Sequence, residues 1–80
     1  MSPKSPDRLL ADFRRQGQRT YREARRLLEA FGFSMRKRRK HHEMWTHGSI
    51  YLVLDPVRDL KTYAKQEVIR AIEAIGFDDE

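Results

Sequence analysis

The chain of 80 residues contains no cysteine. That excludes a disulfide scaffold, a thiol nucleophile and every cysteine-based zinc site. Glycine is sparse, with four residues, and no two stand close enough to form a phosphate-cradling loop. No serine sits in the pattern of a strand-to-helix nucleophile elbow. No apolar run approaches the roughly 18 residues that cross a bilayer, so no membrane partner is expected. Met1 to Pro6 leads into Leu9 and Leu10 rather than into an apolar stretch. No signal peptide is read there, and a cytoplasmic location is expected. The length leaves no room for a cofactor domain beside a substrate domain; one small core buries only about 60–65% of the unfolded surface at this size.

Charge is what the chain has in quantity. Charged residues make up 36% and hydrophobic residues 39%, while eight aromatics (Trp 1, Tyr 3, Phe 4) argue against disorder. Residues 1–47 carry 13 Lys/Arg against 5 Asp/Glu, whereas residues 48–80 carry 4 against 7. A basic front and an acidic back point to a polyanionic partner on one side, nucleic acid first. The plainer reading is a solvated basic helix face.

Ser5-Pro6-Asp7 reads as a helix start, with Leu9, Leu10 and Phe13 on one face and Gly17 as the stop; this predicts a helix over 6–16. Thr20 and Glu23 fit a capping box. Tyr21, Ala24, Leu27, Leu28 and Phe31 follow at helical spacing, and Gly32 stands where a left-handed cap belongs. After Gly32 the period changes to two. Phe33, Met35 and Lys37 alternate with Ser34, Arg36 and Arg38, which predicts a strand, and His41 to Thr46 predicts a second. His47-Gly48-Ser49 is a turn, Ile50 to Leu54 a third strand, and Asp55-Pro56 its end. Val68, Ile69, Ile72 and Ile75 predict a helix over 64–75 that stops at Gly76. The fold class is therefore α+β, a three-stranded antiparallel meander packed on helices in the order α-α-β-β-β-α. One sheet face is left open to solvent or ligand. Residues 1–19 form a helical extension, residues 20–77 the main domain, and residues 78–80 an acidic tail.

Three histidines, His41, His42 and His47, lie within seven residues. On a strand His41 and His42 point to opposite faces, and His41 lies roughly 20 Å from His47 along it. A metal site is therefore not expected, and neither is any other cofactor. Acid/base work suits a histidine better, because it titrates near neutral pH. RNA brings its own nucleophile, the 2′-hydroxyl, so cleaving it requires a base, cations near the phosphate and a site that holds the backbone in line. The run Arg36, Lys37, Arg38, Arg39 and Lys40 is the densest positive stretch and leads straight into the histidines. It can bind phosphates, or it can simply guard an edge strand. Trp45 and Tyr51 can stack on bases or pack in the core. Met44 and Trp45 are adjacent apolar residues, so periodicity leaves open which face is buried.

These residues resemble a known family. Ala24 to Phe33, ARRLLEAFGF, is similar to the opening helix and Gly-aromatic step of HicA-type toxins. Met35 to His47, MRKRRKHHEMWTH, resembles that family's central signature, in which a basic strand leads to Gly-Ser-His. On that alignment Lys40 and His41 take the Gly-Ser places and His42 takes the signature histidine. The resemblance spans about residues 20–77 and includes the strand 50–54, Asp59-Leu60-Lys61 and the last helix. It implies a double-stranded-RNA-binding-domain-like fold, α-β-β-β-α, and a toxin of a type II toxin–antitoxin module. It also implies metal-independent mRNA cleavage, His42 as the catalytic residue, and a HicB-type antitoxin as partner. Lys40-His41 departs from the small Gly-Ser pair, and residues 1–19 are an addition to the family's usual length. The alternatives are a non-catalytic RNA-binding module of the same fold and a protein-interaction domain whose basic face meets an acidic partner.

Overall fold

A computed structural model of the chain describes residues 5–40 and 42–78. Helix α1 spans Pro6–Arg14 and helix α2 spans Tyr21–Ala30. Strands β1 (Ser34–Arg39), β2 (His42–His47) and β3 (Ile50–Leu54) follow, and helix α3 (Thr62–Asp78) closes the order. The sheet is an antiparallel meander with β2 in the centre. The expected α+β class and element order both hold.

Local chemistry accounts for the helix ends. Ser5 accepts from the Arg8 amide, and Pro6 occupies the first turn of α1. α1 stops at Arg14 rather than at 16. Arg19 folds back and donates to the carbonyls of Asp12, Phe13 and Arg15 (3.0, 3.2 and 3.3 Å), which satisfies acceptors the helix end leaves open. Lys65 of α3 donates to the carbonyls of Arg15 and Gly17 from the other side. In α2 the capping box forms in both directions between Thr20 and Glu23. At its far end the Phe33 and Gly32 amides bond back to the Leu28 and Glu29 carbonyls (2.9 and 3.1 Å), with Gly32 at φ +89°. That is the left-handed helix ending that glycine permits.

The core lies between one sheet face and the helices. Leu27 and Leu28 of α2, Val68 and Ile72 of α3, and Trp45, Leu52 and Leu54 of the sheet are all buried. Phe13 joins them, with Leu9 and Leu10 packed alongside, so α1 docks on the same core as the domain it precedes. The β3–α3 connection is tied down as well. The Tyr21 amide donates to the Arg58 carbonyl (3.1 Å), the Leu60 amide to the Arg19 carbonyl (2.8 Å), and Leu60 is buried.

Two further expectations need correction. α3 begins at Thr62 and runs through Gly76 to Asp78, so Gly76 does not end it. A glycine costs a helix interior only about 1 kcal/mol, which the packing of α3 on β3 offsets. The second correction is the pleat of β1. Ser34 pairs with Thr46 and Met35 with Trp45, but Lys37 pairs with Met44. Arg36 is the extra residue of a β-bulge there. The simple alternation would place Lys37 on Met35's side; the bulge moves it to the other. Beyond the bulge, Arg38 faces the core side with Glu43, and Lys37 and Arg39 share the open side with Met44 and His42.

Candidate functional site

The open face of the sheet is built by register. Partners across antiparallel strands lie on the same side. Lys37 with Met44, Arg39 with His42, Met44 with Val53, and Thr46 with Tyr51 therefore all point away from the helices. Lys37, Arg39, His42, Met44 and Val53 line a shallow cavity of about 250 Å³. Its floor is apolar, from Met44 and Val53, and its edge is cationic.

His42 sits at the mouth of β2, next to the hairpin turn. Its Nδ1 lies 2.6 Å from Oδ1 of Asp55, just past the end of β3. A carboxylate only accepts, so Nδ1 carries the hydrogen and Nε2 is left for other work. The side chains of His42 and Asp55 are 64% and 38% exposed, so the pair is reachable from solvent. The turn itself is unusual at Lys40, whose φ is +44°. This is the left-handed region that glycine adopts freely and other residues enter at a cost.

The basic run does not act as one patch. Lys37 and Arg39 lie beside His42, while Arg38 approaches Glu43 on the other side at 3.8 Å. Arg36 is taken up in the bulge, and Lys40 holds the turn. Trp45 is not available to a base: it is 1% exposed, on the core face, and its indole N–H donates to Glu43 at 3.3 Å. Strand alternation decides this, because His42 and Trp45 are three residues apart and must face opposite ways. Tyr51 is on the open face and 68% exposed. It lies opposite Thr46, four residues along the strand from His42, or roughly 13 Å. His47 belongs to the core side, with its ring 5.4 Å from that of Phe33. His41 lies outside the described residues. Among the described residues no three His, Asp or Glu side chains gather where a metal ion could be held. No helix among them is long and apolar enough to cross a membrane.

Sequence reasoning missed two groups. Asp55 was read only as a strand stop. The signal for it was present: a two-residue turn that pairs His47 with Ile50 carries, five positions on, to His42 opposite Asp55. The second group surrounds Glu43, which is 2% exposed. Its Oε1 accepts from the Tyr21 hydroxyl at 2.6 Å and from Trp45. Burial, then the hydrogen bond and charge of Glu43, push the Tyr21 hydroxyl up from its ordinary value of 10.0. A lone glutamate on a strand gave no sign of this, since its partner is 22 residues away.

Searches against protein-family models, curated proteins and solved structures return no match to this chain.

Proposed function

We propose that the chain is an RNA-cleaving toxin of the HicA type, a metal-independent mRNA endoribonuclease that uses His42 as its acid/base group. The observation that carries the reading is the His42–Asp55 pair on an open sheet face, with Lys37 and Arg39 lining a cavity together with His42. The order of α2, the three strands and α3 supports a double-stranded-RNA-binding-domain-like fold, with α1 as an added, docked helix. The cell compartment that fits the reading is the cytoplasm, and the protein partner is a HicB-type antitoxin.

The chemistry follows from the parts. Asp55 accepts from Nδ1–H and fixes the ring, leaving Nε2 to take the proton of an RNA 2′-hydroxyl. The 2′-oxygen then attacks the adjacent phosphorus and the bond to the 5′-oxygen breaks. The proton held on Nε2 passes to that 5′-oxygen, leaving a 2′,3′-cyclic phosphate on one fragment and a 5′-hydroxyl on the other. Lys37 and Arg39 stabilise the charge that builds on the phosphoryl oxygens. Because the substrate supplies the nucleophile, the scheme calls on no metal. The test is an RNA with a single 2′-deoxy nucleotide at the cleavage site: cleavage stops there and nowhere else. Continued cleavage at the deoxy position refutes the scheme.

Lys40 at a glycine-type turn is the observation behind a second reading, a non-catalytic RNA-binding module of the same fold. Binding of RNA by the folded protein without any shortening decides for it.

A further inference from the structure

His42 separates two concavities. One is the cation-edged cavity of the sheet face. The other, of about 280 Å³, lies between the β3–α3 connection and the start of α3, and shares His42 and Val53 with the first. Val57, Leu60 and Tyr63 give it apolar and aromatic walls, and Asp55 and Lys61 its charges. Tyr63 is 61% exposed and Val57 46% exposed, both of them large apolar side chains left uncovered. Isolated exposed apolar residues need no explanation, but these two converge on one hollow beside the proposed catalytic group.

We infer that this second cavity is a nucleobase subsite: it holds the base of a nucleotide adjacent to the scissile phosphate, with Tyr63 as the stacking platform. The inference rests on reading the site as RNA-binding. A base has an apolar face and polar edges, which suits a hollow walled by Val57, Leu60 and Tyr63. The carboxylate of Asp55 repels phosphate, so the base rather than the backbone enters. Lys61, exposed at the same cavity, is available to the flanking phosphate. A strand of RNA laid across His42 would then have its phosphates over Lys37 and Arg39 on one side and a base in the second cavity on the other. Tyr51 cannot serve this position, being roughly 13 Å along the strand.

The test uses the full chain and a fluorescent RNA hexamer carrying 2′-methoxy groups, so that it binds but is not cut. Binding is measured by anisotropy for the intact hexamer and for six versions, each lacking one base. Tyr63→Ala weakens binding of the intact hexamer about 10-fold, within the range of one lost stacking contact. Tyr63→Phe retains wild-type binding, and a Tyr63→Ala melt matching wild type shows that the loss does not come from misfolding. Removing one particular base weakens wild-type binding by a similar factor and costs Tyr63→Ala nothing further. Tyr63→Ala within twofold of wild type overturns the subsite, as does full additivity at every position. A wild-type protein that does not bind the hexamer overturns both the subsite and the RNA reading. Coupling between Tyr63 and one base, with no cutting of the unblocked hexamer, upholds the subsite and overturns the nuclease.

Discussion

Replacing Tyr21 by phenylalanine removes one oxygen and little else, and it isolates the buried carboxylate of Glu43. In the native protein Glu43 has three neighbours of unequal strength. Tyr21 donates at 2.6 Å, Trp45 donates at 3.3 Å, and Arg38 stands at 3.8 Å with its own side chain 63% exposed. The first is a short bond to a charged acceptor in a site almost closed to water; such bonds contribute about 1.5–3 kcal/mol. Trp45 is already engaged, and the Arg38 contact is weakened by solvent. Neither makes up the loss, so Tyr21→Phe costs about 2 kcal/mol. A domain of this size has roughly 4–12 kcal/mol in total, and the melting midpoint falls by about 8–16 °C. Glu43→Gln reduces the same substitution to about 1 kcal/mol, because the acceptor is then neutral. The pH dependence has a definite sign. The folded-state hydroxyl of Tyr21 titrates above its unfolded value. Its contribution is therefore full below about pH 10 and is lost as pH rises through the folded value. Denaturant unfolding of wild type, the two single variants and the double variant, at neutral and alkaline pH, measures all of this. A Tyr21→Phe change below 0.5 kcal/mol refutes the reasoning.

Other outcomes follow from the same geometry. Leu27→Ala and Ile72→Ala, 1% and 3% exposed in the native protein, each cost about 2–4 kcal/mol in a thermal or urea melt. Lys40→Gly raises stability by up to about 1 kcal/mol, because φ +44° no longer strains a side chain; a loss of stability in the same melt contradicts the turn geometry. RNA affinity plotted against salt on logarithmic axes becomes shallower by about 0.7 for Lys37→Ala and again for Arg39→Ala, one phosphate contact each. Arg38→Ala leaves that slope unchanged, since Arg38 lies on the core side of the sheet.

The helices and strands were legible because their signals are local. Thr20 with Glu23 and Gly32 with Phe33 each set an end within one turn of chain. The face of each strand was not legible. Met44 and Trp45 are both apolar, and only the packing of Trp45 against Glu43 and the helices shows which side is buried. The bulge at Arg36 had no signal in a run of five consecutive cations, yet it decides that Lys37 joins His42. The site was half visible: a histidine beside positive charge was read from the residues, the choice of His42 over His41 came from the resemblance alone, and Asp55 follows from hairpin register. Tyr63 and Val57 were not visible, because α3 and its approach loop meet β3 only through tertiary packing.

The most direct measurement is incubation of the purified protein with a defined single-stranded RNA in EDTA, alongside His42→Ala. The proposed mechanism requires cleavage by wild type, 2′,3′-cyclic phosphate ends on the products, and loss of cleavage in a His42→Ala protein that melts like wild type. RNA left intact by the folded wild type, or cut equally well by His42→Ala, contradicts it.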